Sequence, residues 1–579
     1  MARRKTVQPV PLKRSPRRQL VTTLVVLVLL VVSVIAARWY WRRAVLDRVV
    51  RQGLELLTNV DTTDQTVAAL DEWQRRTARR WQPRRDDLIV HLYSRFPLGD
   101  RRVRALLTRV AGVDYGDRLA DWRRWFKNHQ RLQRGRQPEV SSKERITLIP
   151  KWHAPIGLTG WFSTIIPLDG QIYVASLGAT FDDEYDRADG LVRVDGQNGQ
   201  ATLIFEPPDG RLRDVLGIAA GDDCLFVAVR GGWIYCVEPD GNQRWSGHVG
   251  ELLGGPPLSI DINHDGIADV IAVTHTGRVV AFSGHTGRTV WVTPAQRGGQ
   301  RARGSGRVVG AAMAAGELDG NRVLSVTLPD GNMRILSIRN GQVCWEGRTM
   351  AGSLSGPLFR GQRAGVVAAI FIADRTARIW SVTCANNHWV TTPAWDLYTW
   401  QGESVIGGLR TLARDNGPPL LMACPTSSTA GYRAAVCALD VSGLHWRYAP
   451  RGAIWATPAL ADINKNSQTE IVVASIDTDA DGVSRGFLSV ISHEGHCLRR
   501  MTFEAPIECA PVIADVDGDN LLELLVADQA GWLHCFATRQ IGPVEWGLFG
   551  GDSHNTRNAE NAYRYGQVPA GVQWRWKPD

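Results

Sequence analysis

Three nine-residue stretches set oxygen-bearing side chains at alternate positions. DINHDGIAD carries Asp261, Asn263, Asp265 and Asp269; DVDGDNLLE carries Asp515, Asp517, Asp519 and Glu523; DINKNSQTE carries Asp462, Asn464, Asn466 and Glu470. Side chains at positions 1, 3, 5 and 9 of a tight loop can converge on one point. With a backbone carbonyl at position 7 (Ile267, Leu521), such a set suits a hard cation such as Ca²⁺. Position 6 must turn sharply. Gly266 and Asn520 tolerate a left-handed backbone there, and Ser467 does so less well. All the ligands of each loop come from one segment, so the expected role of the ion is structural. The 462–470 loop has only two carboxylates and is expected to bind weakly or not at all. The same stretches also read as Asx turns without metal, and that alternative stays open. Glu317 to Gly320 is a fourth trace that has lost too many ligands. Asp477, Asp479 and Asp481 lack an acid at position 9, where Arg485 stands, and read as a solvated hairpin loop.

No other constellation points to catalysis. There is no nucleophile elbow, no HExxH and no phosphate loop. His275, His285, His493, His496 and His534 occur singly. The nine cysteines include no CxxC and no Cys/His spacing for zinc or haem. Cys224 and Cys236 fall on the two arms of one predicted hairpin, as do Cys424 and Cys437. Outside the cytoplasm these suit cross-strand disulfides; equally they read as small buried hydrophobes.

The elements that must hold the loops are strands. An apolar strand follows each loop at once: DVIAV, EIVVA, ELLVA. From about residue 151 a unit recurs roughly every 50 residues: strand, Gly turn, strand, then Gly and Trp. Its clearest copy is DVIAVTHTGRVVAFSGHTGRTVWV (269–292). Trp stands four residues after a turn glycine in Gly241/Trp245, Gly287/Trp291 and Gly341/Trp345, and three after it in Gly443/Trp446.

The carboxylate loops followed by strands resemble the FG-GAP (VCBS-type) repeat known from integrin α propellers. That resemblance implies calcium-binding loops. Ala281, Ser283, Thr286, Gly287 and Trp291 resemble the tryptophan-docking repeat of pyrroloquinoline-quinone-type propellers, with Ser in place of Asp. It implies that each indole wedges between neighbouring blades. The fold expected over 151–540 is an all-β propeller of about eight blades, or seven if the first segment is irregular. Residues 541–579 form a C-terminal extension. In it Trp546, Phe549, Asp552 and Thr556 match a segment found beside such propellers, which implies packing across a face or help in closing the ring. Quinoprotein dehydrogenases with this propeller carry adjacent cysteines beneath the cofactor; no Cys-Cys pair occurs here.

Residues 1–150 hold 32 Lys and Arg against 14 Asp and Glu, and the remainder holds 35 against 44. The basic surplus is therefore confined to the N-terminal quarter. Residues 20–37 run eighteen positions without a charge, about 27 Å as a helix, and Trp39, Tyr40 and Trp41 follow among arginines. This predicts a transmembrane helix over 20–41 after a basic cytoplasmic tail, 1–19. Residues 42–150 read as a basic α-helical stalk whose stretch 107–129 weakly resembles the end of HEAT-like repeats. Its arginines suit either anionic headgroups or a solvated spacer.

The sequence thus predicts a single-pass protein of a bacterial inner membrane with its propeller in the periplasm. It would act as a protein-binding scaffold or accessory subunit of a membrane complex, with no nucleic-acid partner and no catalytic residue. Competing readings are a quinoprotein oxidoreductase, an adhesion or glycan-binding protein, and an assembly factor like the BamB-type outer-membrane propeller lipoproteins.

Overall fold

The computed structural model describes residues 146–559, apart from 179–188, 209–211, 296–310, 329–330, 349–355, 362–367, 374–377, 387, 398–403, 414–418, 427–433, 441–442 and 479–481. The expected tail and membrane helix lie outside the described residues, as does the expected helical stalk up to residue 145. Its last residues are not helical: Ile146 and Leu148 are buried in the propeller core, and Ile149 and Pro150 begin the strand Ile149–Pro155. Among those described, no helix is long and apolar enough to cross a membrane.

Eight antiparallel sheets make eight blades, and each begins with the strand that faces the ring's axis. In chain order these first strands are Ile165–Leu168, Val215–Ala220, Leu258–Ile260, Ala312–Leu318, Leu358–Arg360, Ser404–Leu412, Ala459–Ala461 and Val512–Ala514. The count expected from the repeat length is met, and the first segment supplies a regular blade. The second strands are buried along their whole length in several blades, as in Leu225–Val229, Asp269–Val273 and Glu523–Ala527. Both their faces pack against neighbouring blades, which explains continuous apolar runs where a one-sided sheet would alternate.

Blade 8 is built from both ends of the described chain. Its first three strands are Val512–Ala514, Glu523–Ala527 and Trp532–Ala537, and its outermost strand is Ile149–Pro155, paired antiparallel with Trp532–Ala537. This closure leaves the ring without an open seam.

The indoles dock as the repeat implies, but each meets the next blade's turn rather than its own. Trp245 Nε1 donates to Gly284 O (2.8 Å) and Trp291 Nε1 to Ile338 O (2.9 Å). Trp152, on the closing strand, donates to Gly196 O (2.9 Å), so the same joint seals blade 8 to blade 1. The turn glycines are required twice over. Gly341 has φ +68°, and a Cβ there would lie 2.4 Å from the Trp291 ring. Trp291→Ala is expected to cost about 3–5 kcal/mol through the cavity it leaves, read as a lower denaturant midpoint of the full chain. An unchanged midpoint would refute the indole as a blade joint.

Eight of the nine cysteines are buried, and Cys344 is exposed. Cys236 stands opposite Phe226, and Cys437 opposite Ala423, so each suspected pair sits diagonally across its hairpin. Burial raises the Cys424 thiol, and raises the Cys437 thiol to about 11. Cys424 and Cys437 sit in an apolar cluster, whereas the Cys224 and Cys236 thiols lie within hydrogen-bond reach of each other. The trace Glu317 to Gly320 is a two-residue hairpin, with Asp319 and Gly320 left-handed between paired Leu318 and Asn321.

Candidate functional site

Each carboxylate loop joins the first and second strands of its blade: blade 3 for 261–269, blade 7 for 462–470, blade 8 for 515–523. The three share one internal scaffold. The position-1 aspartate takes the backbone N–H groups of positions 4 and 6: Asp261 from His264 and Gly266, Asp462 from Lys465 and Ser467 (and also from Asn464 and Asn466), Asp515 from Gly518 and Asn520. The position-3 side chain accepts from the N–H of position 5, and position 5 from that of position 7. The position-9 acid turns back to the N–H of position 2, as Asp269 to Ile262, Glu470 to Ile463 and Glu523 to Val516. Position 6 is left-handed in all three, as the sequence predicts. Position 4 is left-handed as well (His264, Lys465, Gly518), which His264 and Lys465 do not announce by residue type.

The loops differ in how far their oxygens converge. Asp515, Asp517, Asp519 and Glu523 each offer an oxygen within 4.8 Å of the others, and no other group of acids, histidines and cysteines does so among the described residues. That loop also meets a protein cation that no local pattern places there. Lys151, on the closing strand, lies 2.5 Å from Asp517 Oδ2 and 3.2 Å from Glu523 Oε1. In the 462–470 loop the Asn464 amide donates to Glu470 Oε1 (2.9 Å), so a hydrogen-bond donor stands where a further ligand would. In the 261–269 loop the Asn263 amide donates to Asp265. Neighbouring blades hold this loop from both sides. Asp222 of blade 2 accepts the Ala268 N–H (2.8 Å), and Arg322 of blade 4 donates to Asp261 O (2.6 Å).

The position-9 acids are fully buried. Burial pushes Glu470 up to about 8 and Glu523 up to about 7, and raises Asp269. An acid raised in the folded state favours folding fully below its unfolded value, and that contribution is lost as pH rises through the folded value. In chelator, Glu470→Gln is therefore expected to match the parent chain near pH 4. It should exceed it by a few kcal/mol at pH 9, the loss setting in between about pH 4.5 and 8. Parallel stability profiles of the two chains would refute this.

The chain itself lines the inner strands of the ring. Val544–Trp546 adds a strand to the inner edge of blade 7, and Ile513 N–H of blade 8 donates to Gly547 O. Four successive blades then meet successive residues. Ala220 N–H donates to Ser553 O, Ser259 to His554 O, Ala315 to Thr556 O and Phe359 to Arg557 O. Arg410 of blade 6 donates to Phe549 O (3.0 Å). The segment expected to pack across a face or to help close the ring thus contacts the inner strands of seven blades. Trp546, Phe549, Asp552 and Thr556 are all buried. Asp552 folds the segment back on itself by accepting from the N–H of His554 and Thr556 (3.1 and 3.0 Å) and from the Thr556 hydroxyl.

Topology and joints together define an eight-bladed β-propeller. Comparison with known proteins agrees for part of the chain. Residues 206–394 match a family model described as outer membrane protein assembly factor BamB. The assembly factor BamB of Burkholderia pseudomallei (strain K96243) is 24% identical over 198 residues, 34% of this chain and 44% of that protein. The chain thus spans less than half the length of this curated relative. Among solved structures, BamB from Moraxella catarrhalis aligns with 67% of this chain and 97% of its own at 15% identity and a TM-score of 0.42. Quinohemoprotein alcohol dehydrogenase from Comamonas testosteroni aligns with 69% and 77% at 13% and 0.46. The propeller assignment rests on the strand order and not on these scores.

Proposed function

We propose that this propeller is a protein-binding accessory subunit of a membrane complex in the bacterial envelope, held by the apolar segment 20–37 and facing the periplasm. The inner strands already bonded to the C-terminal segment carry the reading. A quinone-dependent oxidoreductase of this architecture needs its cofactor in the central channel. Here the inner strands of seven blades spend hydrogen bonds on residues 544–558 instead. What stays available for recognition is the outside of the disc, its loops and outer strands. The match of blades 2 to 5 to BamB-type repeats supports a partner in envelope assembly. The carboxylate loops are read as braces for Ca²⁺. In 515–523 the donor set fits the ion, with Lys151 as its competitor for the same oxygens.

The test is purification of the full chain from its native membrane in mild detergent, with Ca²⁺ or with chelator. A stoichiometric protein partner is the expected result, and its loss in chelator would tie the loops to partner binding. A partner-free protein with quinone absorbance and dye-linked alcohol oxidation would overturn the scaffold reading.

A further inference from the structure

His534 stands alone in its stretch of sequence, but the fold gives it a second histidine. It lies on the third strand of blade 8, Trp532–Ala537, and the closing strand Ile149–Pro155 sets His153 directly opposite it. Residues opposite each other in an antiparallel pair project from the same face of the sheet. The two imidazole centroids are 6.5 Å apart, with the ring planes inclined by 38°.

A carboxylate completes the row. Asp528, in the turn that precedes Trp532–Ala537, accepts from His534 Nε2 at 2.8 Å. It is itself fixed, because it also accepts the backbone N–H groups of Ala530 and Trp532 (3.0 and 3.1 Å). In a neutral ring, a carboxylate partner puts the proton on Nε2 and leaves the lone pair on Nδ1. The two nitrogens look out from opposite edges of an imidazole. Asp528 follows the strand on one side of Trp532–Ala537, and the closing strand lies on the other. The Nδ1 edge of His534 is therefore turned away from Asp528, to the side where His153 stands. Aromatic rings flank the pair. Trp532 meets His153 edge-on at 5.1 Å, and Phe503 of blade 7 meets His534 edge-on at 5.3 Å. Asp528 is buried, the His534 side chain is 27% exposed, and His153 is exposed to solvent.

The bond to Asp528 accounts for His534 as a structural residue. It does not account for His153. Two protonated histidines placed opposite each other repel, as like charges in that register do. A shared cation turns the same juxtaposition into an attraction. Neutral imidazole nitrogen suits divalent transition ions such as Zn²⁺, Ni²⁺ and Cu²⁺, whereas the all-oxygen loops suit a hard cation. A ligating histidine ordinarily donates its other ring N–H to a carboxylate or carbonyl, which fixes its tautomer and orientation. His534 and Asp528 already have that arrangement. At about 2.1 Å per metal–nitrogen bond, two imidazoles on one tetrahedral ion have centroids roughly 5 Å apart. The rings here stand somewhat wider, and rotation of the exposed His153 side chain covers the difference.

We propose that His153 and His534 form a site for one divalent transition ion of the imidazole-preferring class, with Asp528 as the positioning residue behind His534 and water in the remaining coordination positions. One ligand sits on the closing strand and the other on the strand it pairs with, so the bound ion clasps the seam of the ring.

The test is Zn²⁺ titration of the full chain in detergent with Ca²⁺ in excess. Binding is followed by calorimetry and by the reactivity of each histidine toward diethyl pyrocarbonate, mapped by peptide mass. Zn²⁺ is expected to bind and to protect His153 from modification. His153→Gln should bind one equivalent fewer. Asp528→Asn should keep that equivalent with affinity about tenfold to a hundredfold lower. Zn²⁺ should also slow the proteolytic release of Ile149–Pro155 from the parent chain, and equal rates with and without the ion would overturn the clasp. An unchanged stoichiometry in His153→Gln would overturn the site. So would a parent chain that binds no Zn²⁺, or one that binds it and leaves His153 as reactive as before. The protection measurement uses the parent chain alone, so it decides even where a variant fails to fold.

Discussion

A chain ending after Gly542 is expected to lose cooperative unfolding altogether, while a chain ending after Ala559 keeps it. The shorter chain lacks the axial segment, and the inner strands of seven blades then lose their partners at once. Backbone N–H groups of Ala220, Ser259, Ala315, Phe359 and Ile513 face an opened centre. Trp546 and Phe549, 1% and 3% exposed, are gone. Each buried aromatic is worth about 3–5 kcal/mol on truncation to alanine. The two together approach the whole stability of an ordinary domain, about 5–15 kcal/mol. Arg410 loses both the Trp546 ring and its Phe549 acceptor. The measurement is thermal and urea unfolding followed by tryptophan fluorescence and circular dichroism. Coincident, unshifted transitions in the shorter chain would show that the axis is ornamental.

Trp152→Ala is the second large effect. This indole sits at the only joint where the ends of the ring meet, and it packs on Gly199, whose φ is +74°. Its loss should cost about 3–5 kcal/mol. Unlike Trp291→Ala, it should open the ring at a defined place. Limited proteolysis is expected to cut first between blade 8 and blade 1, and Ile149–Pro155 should be released before any blade unfolds. A cleavage pattern identical to that of Trp291→Ala would show that the seam is no weaker than the other joints.

The fold was legible because its determinants are local. Turn glycines, alternate oxygens and an indole at fixed spacing repeat often enough to set the blade length, and so the count of eight. The loop scaffold was legible for the same reason. Asp261, Asp462 and Asp515 serve their own backbones within five residues. What escaped the sequence is what connects distant segments. Lys151 reads as one basic residue among many, and nothing near it in the chain says that it reaches Asp517 and Glu523. Arg410 and Arg557 read as polar positions in a strand and a tail, although both end up buried on the axis. The Trp-x-x-Phe pattern marked the C-terminal segment, but its route through the ring depends on the inner strands of seven blades, which no local pattern encodes.

The seam has a consequence for the time order of folding. Lys151 and Glu523 are 372 residues apart in the chain. At roughly 5–20 residues per second of synthesis, the closing strand waits roughly 20–75 s for the strands it completes. Throughout that interval Ile149–Pro155 is an unpaired edge, and seven nascent blades surround an empty centre. Such non-local pairing is slow and exposes the chain to aggregation. The last element required, Val544–Arg557, is also nearly the last described segment made. Synthesis of the axial segment therefore acts as the trigger for the final structure, and any holding factor must protect the growing arc until then.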